Sequence, residues 1–222
     1  MTSDVPDRLP SPPVSERRAR QPSSFPLSAD EALWSGAPLD PAALFSRRAP
    51  LEVEIGSGKA RFLIEAARAN PAHDFLGVER SLSYYRICRD RVIASGLPNA
   101  RVVRADGRLY AGALGEGSVR AFHVYFPDPW PKRKQKKRRL LDGVTLEVLA
   151  ECLEPGGFLR IATDHPDYGT FLEPVLTTVP ALERRAWDAL PPPPPTHYEL
   201  KYRQQGRPIW RFLLQKRVTP VP

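Results

Sequence analysis

LEVEIGSGKARFLIEAARANPAHDFLGVE, residues 51–79, reads in one run as strand, turn, helix and strand. LEVEI (51–55) is a short apolar strand with an acid near its end. GSGKARFLIEAARAN (56–70) turns and then sets Phe62, Leu63, Ala66 and Ala67 at helical spacing, until Asn70-Pro71 stops the helix. DFLGVE (74–79) is a second strand, and it too ends in an acid. A strand–helix–strand unit of this kind predicts two parallel strands joined by a right-handed crossover.

The same alternation continues outward. A helix is predicted over 81–95, stopped by Ser95-Gly96. ARVVRAD (100–106) is a third strand ending in an acid, and the glycine-rich 107–118 has room for one short helical turn. RAFHVYF (120–126) is a fourth strand. A helix follows over 138–153, a tight turn at Pro155-Gly156-Gly157, a fifth strand over FLRIATD (158–164) and a helix over 166–178. ALERRAW (181–187) reads as a strand, PPPPP (191–195) as a stiff spacer, and PIWRFLLQK (208–216) as a last amphipathic strand. Together these predict an α/β fold with a doubly wound parallel sheet.

At 222 residues, one core-bearing domain with tails is expected. Residues 1–25 are rich in Pro, Ser and Arg and predict a disordered tail. Residues 26–50 read as a loop-rich lead-in, 51–217 as the folded domain, and 218–222 as a short C-terminal tail. A formal charge of +8 favours a polyanionic partner, nucleic acid before an anionic membrane surface. Two distant cysteines, Cys88 and Cys152, and four scattered histidines offer neither a disulfide framework nor a metal site. No apolar run approaches the ~18 residues of a membrane span. The start MTSDVPDRLPSPP lacks the apolar core of a signal peptide, so a cytoplasmic location is expected.

Three acids, Glu54, Glu79 and Asp106, recur at the carboxyl ends of consecutive strands, the edge where open α/β sheets bind ligands. Gly56 and Gly58 in the first turn let a ligand approach the backbone. Glu79 lies 21 residues after Gly58, near the ~20-residue offset at which an acid bonds ribose hydroxyls. A phosphate-binding loop is excluded, because Val53 and Ala60 stand where that motif needs Gly and Ser or Thr; Arg61 likewise breaks the dinucleotide fingerprint G-x-G-x-x-G. A cofactor with ribose and adenine but no phosphate remains. An acid at the end of strand 1 suits a cationic sulfonium or ammonium group, and S-adenosyl-L-methionine carries both.

FPDPWPKRKQKKRRL (126–140) follows the fourth strand. Three prolines bar it from helix and from central strand, and Asp128 sits between two of them. Seven of the eight residues Lys132–Arg139 are basic. An acidic pocket wall beside a phosphate-binding surface is the reading, with Lys134, Lys136, Lys137, Arg138 and Arg139 as RNA contacts; a solvated charged helix start or a targeting patch competes with it. Tyr198, Tyr202 and Trp210 lie among basic residues, a composition that suits stacking on an exposed base, although Trp210 falls in a strand and fits the core better.

These segments resemble the bacterial tRNA (guanine-N7-)-methyltransferase (TrmB) family. FPDPWPKRKQKKRRL carries the likeness most specifically, supported by EIGSGKARFL (54–63), GVE (77–79), TDHPDY (163–168) and THYELKYRQQGRPIWRF (196–212). The resemblance spans about Leu51 to Lys216. It implies a class I S-adenosylmethionine-dependent methyltransferase, Rossmann-like, with seven strands and the last antiparallel. The substrate it implies is N7 of a guanine in the tRNA variable loop, position 46 in tRNA numbering. By that likeness Glu54, Gly56, Gly58, Glu79, Asp106 and Asp128 form the cofactor site, and Asp128 is also catalytic. Lys132, Asp164, Thr196, His197, Tyr198 and Glu199 fall where the family contacts substrate. Three residues depart from the family's usual pattern: Ala60 for a glycine, Gln135 for a histidine, and His165 for an aromatic. No metal is implied, and monomer and dimer stay open. An exocyclic-amine methyltransferase and a non-catalytic RNA-binding protein are the competing classes.

Overall fold

A computed structural model describes residues 39–218. The expected N-terminal tail, most of the lead-in and most of the C-terminal tail lie outside the described residues. The elements run α1 (Pro41–Phe45), β1 (Leu51–Ile55), α2 (Arg61–Ala69), β2 (Asp74–Glu79), α3 (Leu82–Ser95), β3 (Ala100–Arg104), α4 (Gly107–Ala113) and β4 (Val119–Tyr125). A 3-10 turn (Arg133–Arg138), α5 (Gly143–Cys152), β5 (Leu153–Thr163), α6 (Pro166–Val175), β6 (Leu182–Arg185), a short 3-10 turn, α7 (His197–Gln204) and β7 (Trp210–Lys216) complete the fold. All seven strands form one sheet in the order β3-β2-β1-β4-β5-β7-β6. β1 to β5 pair in parallel, and β7 runs antiparallel between β5 and β6.

Strand alternation divides the core between the two faces of the sheet. Val53 and Ile55 point into a cluster with Val78, Tyr110, Leu146, Leu149 and Leu172 from the α4, α5 and α6 side. Glu52 and Glu54 point the other way, where Phe62, Leu63, Cys88 and Val92 pack beneath α2 and α3. Strand order reverses between β1 and β4, which places the ligand-binding crevice at their carboxyl ends.

Several boundaries differ from the sequence expectation for local reasons. The lead-in holds a helix, α1, because Asp40 caps Ala42 N and Pro41 presets the first turn. Asp106 accepts from Arg108 N and Leu109 N, and its cap turns the glycine-rich 107–113 into α4. The helix expected from 138 starts at Gly143, capped by Asp142 on Thr145 N. Of its expected first residues, Arg138 ends the 3-10 turn and 139–142 are irregular. Arg139, expected on the RNA surface, is only 2% exposed. Its Nε donates to Pro129 O at 2.9 Å, and its guanidinium lies over the rings of Tyr168 and Phe171, which draws it inward. No described helix is long and apolar enough to cross a membrane.

Gly107 sits under the crevice, where an added Cβ would lie 2.2 Å from Ile55 Cγ2. Gly107→Ala is therefore expected to lower stability by about 1–3 kcal/mol through overpacking, read by denaturant unfolding.

Candidate active site

Two adjoining cavities open at the carboxyl edge. The first, of about 650 Å³, is lined by Gly56, Gly58, Glu79, Asp106, Asp128 and Tyr198 among others. The second, of about 400 Å³, is lined by Glu54, Gly56, Gly58, Thr196, His197 and Tyr198, with Lys59, Arg61 and Lys201. Tyr84 and Tyr125 wall both. The strand-end acids thus share one crevice. Lys137 and Arg138 line the first cavity beside Asp128, so the basic turn forms its lip.

The β1–α2 turn is built to hold its glycines in the left-handed region, Gly56 at φ 85° and Gly58 at φ 51°. Ala60, in place of the family's glycine, keeps φ 58° and is wholly buried. Glu79 ties the turn down: Oε2 accepts from Gly58 N at 2.9 Å and Oε1 from Ser81 N at 2.8 Å. Each oxygen retains a lone pair for a ribose hydroxyl. Glu54 is different. It is 4% exposed, and its Oε2 is buried without a hydrogen-bond partner among the described residues. Burial pushes its carboxyl well above the ordinary range, and the charge of Glu79 adds to the rise. A buried carboxylate oxygen lacking a partner, facing a cavity, fits a cationic group. The ammonium and sulfonium of S-adenosylmethionine meet that requirement.

Asp128 stands on a loop whose flanking residues Phe126 and Trp130 adopt φ 53° and 43°, a conformation that non-glycine residues rarely take. Phe126 N donates to Ala162 O at 2.7 Å, which fixes the loop to β5. Phe126, Tyr198 and Tyr202 form an aromatic cluster, with ring centroids 5.5–6.3 Å apart, of which Phe126 and Tyr198 line the first cavity. A hydrogen bond with Tyr84, and then burial, raise the Tyr198 phenol to about 12. Burial first, and then the charges of Arg91, Arg61 and Lys59, lower the pKa of His197, whose Nε2 is 3.2 Å from Arg91 Nη1.

Lys132, Asp164 and Glu199 line neither cavity. Lys132 is exposed just before the basic turn, and Asp164 pairs with Arg207 at 2.9 Å. Glu199 is buried, and its carboxylate accepts from Arg203 at 2.6 Å and Arg211 at 2.7 Å. It clamps α7 to β7 rather than standing open to a substrate. Thr196 reaches the second cavity while its hydroxyl caps α7 through Glu199 N. The sequence reading missed Glu52, His123 and Tyr125, a buried polar row beneath α2. The available signal was a charged and an imidazole side chain in strands otherwise buried on both faces.

A 16S rRNA (adenine(1408)-N(1))-methyltransferase from Catenulisporales acidiphilia superposes with a TM-score of 0.54 at 17% identity, over 89% of this chain and 95% of its own. TrmN from Thermus thermophilus gives 0.54 at 18% identity, over 85% of this chain and 48% of its own. The fold is that of a class I S-adenosylmethionine-dependent methyltransferase. Residues 48–212 match the model of a family described as putative methyltransferase. The tRNA (guanine-N(7)-)-methyltransferase of Bordetella pertussis is 37% identical over 187 residues, covering 82% of this chain and 74% of its own. That of Alkalilimnicola ehrlichii is 35% identical over 191 residues, covering 84% and 81%. The chain belongs to the bacterial tRNA (guanine-N7-)-methyltransferase family.

Glu54 bears a desolvation cost that a neutral isostere avoids. With its pKa raised by folding, its penalty is absent below the ordinary carboxylate pKa and grows as pH rises above it towards the raised value. Glu54→Gln is expected to raise the Tm at pH 7–8 by roughly 2–4 °C, the shift that ~1 kcal/mol makes in a chain of this size. The gain should shrink towards pH 4 in thermal melts.

Proposed function

We propose that the chain transfers the methyl group of S-adenosyl-L-methionine to N7 of a guanine in the tRNA variable loop, position 46, giving 7-methylguanosine. The observation that carries this reading is the position of Asp128 at the rim of the crevice that also holds Glu54, Glu79 and Asp106. When bound, the cofactor supplies an electrophilic methyl on a sulfonium. Glu54 would hold the cationic methionine head, Glu79 the ribose hydroxyls, and Asp106 with the start of α4 the adenine side of the first cavity.

Guanine N7 is a lone-pair acceptor with no proton to lose, so the reaction needs no general base. The Asp128 carboxylate can accept from N1–H and N2–H on the opposite edge of the ring, which turns N7 towards the methyl. The same negative charge favours the base as it becomes cationic. Catalysis is then positioning and electrostatics. Phe126 and Tyr198, backed by Tyr202, give the base a stacking surface. The exposed residues Lys132, Arg133, Lys134, Lys136, Lys137 and Arg138 lie beside Asp128 and suit phosphate contacts, which orient RNA without reading its bases.

Asp128→Asn keeps the shape and removes the charge. It is expected to reduce methyl transfer to tRNA by roughly 100-fold or more while cofactor affinity stays within about threefold. Near-normal turnover would contradict the assignment. Neutralising Lys136, Lys137 and Arg138 together should raise the KM for tRNA. It should also flatten the slope of log affinity against log salt by about 0.7–0.9 for each phosphate that is no longer neutralised. An unchanged slope would move the RNA elsewhere.

A further inference from the structure

One hydrogen-bonded row crosses the sheet from the surface to the seam between the two cavities. His73, with its side chain 25% exposed, places Nδ1 2.7 Å from Glu52 Oε1. Glu52 Oε2 lies 2.8 Å from His123 Nε2, and His123 Nδ1 lies 3.0 Å from the Tyr125 hydroxyl. Glu52, His123 and Tyr125 are each at most 9% exposed. Phe62 closes over the row, 4.6 Å from the His123 ring and 5.0 Å from the Tyr125 ring. Arg160 stands beside His123 in register on β5. The chemistry described above uses none of these polar groups, yet burying them is costly unless each is satisfied.

The row has a direction. Burial opposes ionisation of Glu52, but the hydrogen bonds from His123 and then His73 outweigh it and hold the carboxyl below its ordinary range. A carboxylate only accepts, so His123 turns a protonated Nε2 towards Glu52. Burial pushes the Tyr125 phenol well above its ordinary pKa, with the charge of Arg160 opposing, so the hydroxyl keeps its proton. His123 Nδ1 is its hydrogen-bond partner among the described residues. With that proton committed to Nδ1, the Tyr125 oxygen is left as an acceptor. Tyr125 also borders both cavities, between the adenosine side and the methionine head.

We propose that Tyr125 is an acceptor for the positively polarised methyl of the cofactor sulfonium, and that Glu52 and His123 are positioning residues that order its proton. This rests on the cofactor reading above. The same logic, in which a carboxylate fixes a histidine tautomer and thereby orients a hydroxyl, underlies hydrolytic triads. Here it prepares an acceptor instead of a nucleophile.

The test compares S-adenosylmethionine with S-adenosylhomocysteine, which lacks the methyl and the positive charge, by calorimetric binding to the full chain. Tyr125→Phe is expected to weaken S-adenosylmethionine roughly tenfold and S-adenosylhomocysteine less than about twofold, the loss of one hydrogen bond to a charged partner. Glu52→Gln should reproduce part of that selective loss, and the double variant should be no worse than Tyr125→Phe alone. In ¹⁵N-histidine spectra, His123 should be an Nε2–H tautomer in the unaltered protein and lose that signature in Glu52→Gln. Equal weakening of both ligands, additive effects, or no effect in a Tyr125→Phe protein that melts normally would overturn the proposal. Failure of the unaltered protein to bind either ligand would instead overturn the cofactor reading, and this inference with it.

Discussion

The bond from Arg139 Nε to the Pro129 carbonyl holds the working face of the molecule together. It ties the end of the basic run to the middle of the proline loop that carries Asp128. The two terminal nitrogens of Arg139 are buried without hydrogen-bond partners among the described residues, so its charge rests largely on the faces of Tyr168 and Phe171. Tyr168 in turn accepts from Leu141 N at 3.2 Å, fixing the chain just beyond. Such a buried cation is expensive when left unpaired. What it secures is geometric. Phe126 and Trp130 are held in left-handed conformations, Asp128 is set on the rim, and the exposed cations are set on the lip beside it.

The site separates charge by depth. Glu54 and Glu79 are buried in the crevice, where on the proposed reading a cationic cofactor is drawn. Lysines and arginines occupy the rim. Their attraction for phosphate is not cancelled by the acids below, because Glu79 spends its charge on backbone N–H groups and burial disfavours the charge of Glu54 until a cation arrives. Binding of cofactor would thus complete a carboxylate that the protein alone leaves unsatisfied.

The sheet was legible because its signals are local. Each strand that ends in an acid is a short apolar run followed by a turn or a helix cap, and each can be read within a few residues. The antiparallel β7 came from likeness to a family, since nothing in PIWRFLLQK itself reports direction. Arg139 was misread because it and its basic neighbours look alike in sequence; only the ring faces of Tyr168 and Phe171, far along the chain, single it out. The ion pairs of Glu199 were not legible for a similar reason, its partner Arg211 lying on a different element from α7. The Glu52–His123 pair was invisible because it joins residues 71 positions apart, and LEVEI shows two acids on one face without saying which meets a histidine. Ala60 shows the converse: a left-handed alanine costs about 1–2 kcal/mol, yet its side chain is fully buried against α2 and β2 neighbours.

The central claim is that the crevice directs a methyl group to guanine N7 and to no exocyclic amine. The most direct measurement is chain scission. Unmodified tRNA transcript is incubated with the protein and S-adenosylmethionine, reduced with borohydride, treated with aniline, and resolved at single-nucleotide length. The account predicts one cut, at a guanine of the variable loop, that depends on the cofactor. Methyl incorporation with no cut at that guanine would contradict it.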